Sequence, residues 1–419
     1  MSGGYCLQVC RQSQLVHGGR AAKAMSNPGF REWLAVGKAL RGKNLLRHEG
    51  PYRLTAGFER NFADHMGSTQ ALALTSGTVG LHAAMTAIGV GPGDEVIVPA
   101  YTWIASAAAP ALAGAVPILA DIDETLTLNP IDLERKITPH TKAIIAVHMV
   151  NAPCNMDAIM DIARRHSLMV VEDACQAVGV DYKGRKCGTF GDIGVYSFNH
   201  YKNMTIGEGG AVVTNDPALF SRLMNFHDLG IWAREGYEAG NNPAFLASHS
   251  RMTEVQGAML GVQLSRLSRS ITRIKRNRKA IAQVLRDAGG IRISPHNDPD
   301  NAATMTVNFD TEAEAEAFGR RPGVHRIYDN SKHVYTNWDP ILNQRTAHPA
   351  MNPWAWARRP ISYDEHTCAR TLNIMRRTCR ISINAGWSTM LARALAKNLW
   401  TPNAQEGTVY RVIARLKGG

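Results

Sequence analysis

Glu95-Val-Ile-Val-Pro-Ala-Tyr-Thr-Trp-Ile-Ala-Ser-Ala-Ala-Ala-Pro-Ala-Leu-Ala-Gly-Ala-Val-Pro-Ile-Leu-Ala-Asp121 is the stretch on which the fold turns, because no charged side chain lies between its two ends. An uncharged run of this length can cross a bilayer as one helix. Its prolines argue otherwise: Pro99, Pro110 and Pro117, with Gly114, cut it into a strand (96–100), a small-residue helix (102–113) and a second strand (116–120). Alanine is also a weaker membrane former than leucine. The run therefore reads as a buried β-α-β unit.

The same alternation continues on both sides. A helix over 77–88 precedes the run. A helix over 130–136, a strand over 143–148, a helix over 156–166 and a strand over 168–172 follow it. Ala143-Ile-Ile-Ala-Val147 and Leu168-Met-Val-Val171 are continuously apolar, as strands are when helices cover both faces. The pattern predicts an α/β protein with a mostly parallel sheet. Strands over 193–198 and 210–215 lie too close together for a crossover helix, so at least one runs antiparallel. A helix over 217–226, an ordered loop over 228–250 and a long helix over about 253–289 come next, the last with Leu260, Leu264 and Leu267 on one stripe. The first fifty-odd residues read as an arm with short helices, and the chain from about 291 onward as a smaller domain.

Composition narrows the function classes. The 419 residues carry 45% hydrophobic and 20% charged side chains, which is ordinary globular usage. The formal charge of +12 is scattered rather than blocked, which favours an anionic small ligand over nucleic acid. Seven cysteines with no C-x-x-C pair fit neither a disulfide framework nor a structural zinc site, so no metal is expected. With no apolar leader at the N-terminus, the expected compartment is the cytoplasm, away from any membrane.

Four features fall at strand ends, where open α/β sheets bind ligands. Thr75-Ser-Gly-Thr78 opens a helix, so its N–H groups can cradle a phosphate or simply be capped by a hydroxyl. Val170-Val-Glu-Asp-Ala174 ends a buried strand in two carboxylates, either of which can hold a cationic ligand nitrogen or cap a helix. Ser197-Phe-Asn-His-Tyr-Lys202 delivers a hydroxyl and a lysine able to form a Schiff base, although a lone lysine is ordinarily a solvated surface residue. Gly207-Glu-Gly-Gly210 is a tight turn. Taken together, a phosphate cradle, an acid for a pyridinium nitrogen and a lysine for an aldehyde are the anchors that pyridoxal 5'-phosphate (PLP) requires.

Ala73-Leu-Thr-Ser-Gly-Thr78, Gly91-Pro-Gly-Asp-Glu-Val-Ile-Val-Pro-Ala-Tyr-Thr-Trp103, Glu172-Asp-Ala-Cys-Gln-Ala177 and Ser197-Phe-Asn-His-Tyr-Lys-Asn-Met-Thr-Ile-Gly-Glu-Gly-Gly-Ala211 resemble, in order and spacing, the DegT/StrS group of sugar and aminocyclitol aminotransferases. The resemblance implies a fold type I PLP enzyme with a large, mostly parallel seven-stranded sheet domain and a smaller C-terminal α+β domain. The implied division is an arm over 1–55, a PLP-binding domain over 56–265, and a linking helix with the small domain over 266–419. It further implies that Lys202 forms the Schiff base and shuttles protons and that Asp173 pairs with the ring nitrogen. Gln176 would meet the phenolic oxygen, Trp103 would stack on the ring, and Gly77, Thr78 and Ser197 would hold the phosphate. The active site would lie in a homodimer, with His249 and Arg251 of one subunit completing the other's site.

Three segments depart from the family pattern. His249 stands where an asparagine is usual, Asn151 stands where a glycine is usual, and His333-Val-Tyr-Thr-Asn-Trp-Asp-Pro340 matches loosely. All three lie where substrate specificity is expected. The expected activity is transfer of an amino group from an amino acid such as glutamine or glutamate to a keto-sugar or keto-cyclitol in secondary metabolism. The alternative keeps PLP but uses carbanion chemistry, elimination or ring closure, with an anionic or nucleotide acceptor. A non-catalytic protein on the same fold is a third reading, opposed by the presence of Lys202. Borohydride reduction of the PLP-loaded protein, followed by peptide mapping, is expected to label Lys202, and a label on any other lysine removes it from this role.

Overall fold

The computed structural model describes residues 28–230 and 243–400. The described chain begins with α1 (Phe30–Arg41) and α2 (Leu54–Met66). The large sheet and its helices follow in the order β1 (Gln70–Leu74), α3 (Gly77–Ile88), β2 (Glu95–Pro99), α4 (Ala105–Leu112), β3 (Val116–Ala120), α5 (Pro130–Lys136), β4 (Thr141–Val147), α6 (Met156–Arg165) and β5 (Met169–Asp173). A two-stranded ribbon, β6 (Asp181–Tyr182) and β7 (Arg185–Lys186), leads to β8 (Ile193–Ser197), β9 (Gly210–Thr214) and α7 (Pro217–His227). The 35-residue α8 (Glu254–Ala288) then runs about 52 Å, at roughly 1.5 Å per residue.

The seven strands order as β1-β9-β8-β5-β4-β2-β3. All neighbours are parallel except those of β9, which runs antiparallel to both β1 and β8. The expected β-α-β reading of the uncharged run holds, with β2 and β3 adjacent and parallel and every residue of both strands buried. Its helix starts at Ala105 rather than 102, with Ile104 as the N-cap and the Thr102 hydroxyl, ahead of the helix, paired with that of Ser106 at 2.8 Å. Tyr101 forms an antiparallel bridge with Val334. Pro110 lies inside α4, which ends two residues later at Leu112.

The arm expected over the first fifty-odd residues falls partly outside the described residues, which begin at 28. The central part of the 228–250 loop, 231–242, likewise lies outside them. The described ends of that loop are joined by a bridge between Asp228 and His249. Glu254, at the start of α8, caps α2, its carboxylate accepting the N–H groups of Leu54 (2.6 Å) and Thr55 (2.9 Å).

One helix serves two cores. Leu260, Leu264 and Leu267 of α8 pack with the large sheet. Ile281, Ala282 and Leu285 pack with the small sheet, together with Met305, Val307, Cys379 and Ile381. That sheet consists of β10 (Arg292–Ile293), β11 (Thr306–Asn308), β12 (Val324–Arg326) and β13 (Thr378–Ile381), antiparallel in the order β10-β11-β13-β12. Helices α9 (Glu312–Gly319), α10 (Asp339–Leu342), α11 (Ala369–Arg376) and α12 (Thr389–Trp400) complete this part.

Glu172, the penultimate residue of β5, is fully buried. Its carboxylate accepts the N–H groups of Gly188 (2.7 Å), Gly191 (2.7 Å) and Phe190, and pairs with His148 Nε2 at 2.8 Å. His148 Nδ1 accepts the N–H of Cys154, so the imidazole carries its proton on Nε2 and donates it to Glu172. One side chain thus holds two loops against the sheet. Glu172→Ala strands all four donors in the interior, and urea unfolding is expected to show a loss of about 4 kcal/mol.

Candidate active site

The carboxyl ends of β5 and β8 and the start of α3 meet around Cys175. A Cβ added to Gly77 would lie 2.7 Å from Cys175 Sγ and 2.9 Å from Ser197 Cβ, so only glycine lets α3 approach this closely. Ser76 caps the helix by accepting the N–H of Val79, and the N–H groups of Gly77 and Thr78 at the helix start have no acceptor among the described residues. Together with Ser197 and the helix dipole, they form a cradle suited to an anion. A Cβ on Gly210 would overlap Ser76 and the N–H of Gly77, which brings the turn after Lys202 hard against the same cradle.

Asp173 is 4% exposed, so what neutralises it decides its role. Its Oδ2 accepts the hydroxyl of Ser106 at 2.7 Å, and its Oδ1 accepts the N–H of Cys175 at 3.1 Å. Ser106 is in turn paired with Thr102 at 2.8 Å. No cation pairs with Asp173 among the described residues, and its oxygens retain lone pairs for one more donor. Burial, followed by the charge of Asp173, pushes the Cys175 thiol well above its usual range, while Lys202 pulls the other way. Cys175 is therefore held as the neutral thiol between Asp173 and the start of α3. The half-buried Lys202 follows a turn closed by its N–H to Asn199 O at 3.0 Å.

Gln176 turns toward the end of β4, its Oε1 accepting the N–H of Val150 at 3.3 Å. Val150 and Asn151 both adopt left-handed backbone, at φ 47° and 65°. The second explains a glycine's usefulness there, and asparagine is the side chain that tolerates the conformation best. Asn151 also does what glycine cannot. Its Oδ1 accepts the amide of Asn203 at 2.7 Å, and Asn203 is the residue next to Lys202.

Trp103 is 43% exposed, with its ring 6.0 Å from that of His333. His249 is exposed. Arg251 is paired with Asp228 and forms a backbone bridge with Leu74, while Ser250 O accepts the N–H of Thr75 at 3.2 Å. Gly77, Ser197 and Asp173 thus meet around Cys175, with Thr78 next to Gly77 and Lys202 at the far end of the turn that follows Ser197. The 249–251 segment lies against the end of β1 in its own chain. Sequence reasoning missed Ser106, Cys175 and Tyr101. Cys175, inside the Glu172–Ala177 motif, and Tyr101, inside the Gly91–Trp103 motif, carried a signal that could have found them.

A profile of the DegT/DnrJ/EryC1/StrS aminotransferase family matches residues 31–329. GDP-perosamine synthase of Caulobacter vibrioides is 40% identical over 245 residues, covering 58% of this chain and 65% of that protein. L-glutamine:2-deoxy-scyllo-inosose aminotransferase of Micromonospora echinospora is 34% identical over 319 residues, covering 72% and 75%. The match thus spans just under two thirds of the perosamine synthase's length. Among solved structures, 3-amino-5-hydroxybenzoic acid synthase superposes with a TM-score of 0.72 at 26% identity, over 89% of this chain and 96% of that one. DesV of S. venezuelae, solved with a ketimine intermediate, gives 0.68 at 29% identity over 88% and 92%. The chain belongs to the DegT/DnrJ/EryC1/StrS aminotransferase family.

Proposed function

We propose that this protein binds PLP and moves an amino group from an amino acid, glutamine or glutamate, to the keto group of a sugar or cyclitol. The observation that carries the reading is the meeting around Cys175 of a helix start with free N–H groups and a buried carboxylate without a cation among the described residues, with a lysine on the turn that follows Ser197. The relatives named for perosamine and scyllo-inosose amination supply the substrate class. When bound, PLP supplies the electron sink that makes an amino acid's α-proton removable.

The protein's own residues would do the rest. The N–H groups of Gly77 and Thr78 and the Ser197 hydroxyl hold the phosphate, and Asp173 keeps the ring nitrogen protonated. Gln176 faces the phenolic oxygen, and Trp103 closes over the ring. Lys202 Nζ would hold the cofactor and would take and return a proton, while Asn151, through Asn203, steadies its loop. The chain would divide into an arm, the PLP-binding domain and a small domain on α8. It would act as a soluble cytoplasmic homodimer in which His249 and Arg251 complete the partner's site. Among the described residues no helix is long and apolar enough to cross a membrane. Phe30, Trp33, Leu34 and Leu40 of α1 are exposed and supply an apolar surface suited to pairing.

The direct test is addition of amino acids to the PLP-loaded protein. L-glutamine or L-glutamate is expected to bleach the yellow Schiff-base absorbance and release the keto acid, and a keto-sugar or keto-cyclitol to restore it. Failure with every amino acid overturns the reading. Asp173→Asn is expected to keep the cofactor but slow this half-reaction at least ~100-fold, because a neutral amide cannot stabilise the protonated ring. For the shared site, Arg251→Ala and Lys202→Ala subunits, each inactive alone, are expected to regain activity on mixing, since one site of each mixed dimer escapes both substitutions. Confirmed exchange without recovery assigns Arg251 to its own chain.

A further inference from the structure

Helix α4 reads Ala105-Ser-Ala-Ala-Ala-Pro-Ala-Leu112, so Ser106 is its one polar side chain, and it is fully buried. A buried hydroxyl costs stability unless it is hydrogen-bonded, and an alanine at this place would match the rest of the helix. Ser106 Oγ has two partners, Asp173 Oδ2 at 2.7 Å and Thr102 Oγ1 at 2.8 Å. The Thr102 side chain, also buried, has Ser106 as its one hydrogen-bond partner among the described residues. Two buried hydroxyls thus form a chain that ends on one carboxylate.

That chain has a direction. An ionised carboxylate accepts and cannot donate, so Ser106 donates to Asp173 and its oxygen is left to accept the Thr102 hydroxyl. Each bond polarises the next, which strengthens the one that reaches Asp173. On the other oxygen, Oδ1, Asp173 accepts the N–H of Cys175 at 3.1 Å. With a donor on each oxygen, the carboxylate cannot turn about its Cβ–Cγ bond without losing one of them. Fastening α4 to the sheet does not require these hydroxyls, because Ala105, Ala107 and Ala109 already pack it into the core. The same turn carries Trp103, whose carbonyl accepts the N–H of Ser106 at 3.0 Å.

We propose that Ser106, backed by Thr102, is a positioning residue that fixes the plane of the Asp173 carboxylate for the cofactor's ring nitrogen. This rests on the PLP reading. The Ser106 hydroxyl acts through Asp173, both of whose oxygens are already held before any ligand arrives. A hydrogen bond weakens steeply as its angle departs from linear, so a carboxylate free to turn would hold the ring nitrogen's proton less well. The cost would fall on removal of the donor's α-proton. Cofactor retention, which draws on the phosphate contacts and Lys202, would change little.

The test combines kinetics of the PLP-loaded protein with a crystal structure of the cofactor-free one. Ser106→Ala is expected to slow the glutamine half-reaction about 10- to 100-fold, the size of a lost hydrogen bond to a charged group, with the apparent dissociation constant of glutamine nearly unchanged. Ser106→Thr, which keeps the hydroxyl, should restore most of the rate. In an Asp173→Asn background the same Ser106→Ala change should add less than about 2-fold, because the residue it works through is already disabled. An equal loss in both backgrounds, or no loss in the unaltered one, overturns the proposal. In the cofactor-free Ser106→Ala crystal the Asp173 carboxylate should have turned away from the N–H of Cys175, and an unmoved carboxylate overturns the proposal. If the unaltered protein reacts with no amino acid, the aminotransferase reading fails on its own and the crystal structure alone decides the role of Ser106. If Ser106→Ala does not fold, Thr102→Val, which removes the outer hydroxyl at nearly constant shape, is judged by the same measurements, with a smaller loss expected.

Discussion

Two adjacent buried carboxylates end the central strand of the large sheet, and the rest of the molecule is arranged around how each is neutralised. Strand alternation sends Glu172 and Asp173 to opposite faces. Glu172 meets three backbone N–H groups and His148, so its charge is spent on holding loops in place. Asp173 meets one hydroxyl and one N–H and no cation among the described residues. A buried carboxylate left without a counter-charge is costly unless a ligand supplies one. The same strand end therefore provides a structural pin on one face and, on the other, a buried carboxylate with no cation among the described residues.

Much of this was legible in the sequence because it is local. Apolar runs such as Ala143–Val147 announce strands buried on both faces, and the short interval between Ser197 and Gly210 forces the reversal seen in β9. Ser76 and Gly77 mark a helix start by residue type alone. What was not legible depends on contacts between distant residues. Ser106 reaches Asp173, Tyr101 bridges to Val334, and Asn203 meets Asn151. Neither periodicity nor propensity records which distant residue such a side chain will meet.

The departures from the family pattern become intelligible once the backbone is known. The left-handed turn at Val150 and Asn151 would suit glycine, and a β-branched side chain at φ 47° carries a real conformational penalty. In exchange, Asn151 grips Asn203 and hence the loop of Lys202. Stiffness in the loop of Lys202 is thereby supplied by a neighbour on β4's side of the sheet, in place of the freedom a glycine would give.

The antiparallel strand has a consequence for how the protein comes to be folded. β8 and β9 are close in sequence and can pair early, but β1 must find β9 from the far end of the domain, with Leu74 meeting Gly210. Pairings between such distant segments carry a large loop-closure entropy and form slowly. The anion cradle hangs from β1, so it exists only after that last strand has docked. Capture of the cofactor's phosphate would then act as a latch on the finished sheet, favouring the closed topology by mass action and leaving a chain with an undocked first strand both empty and exposed to proteases.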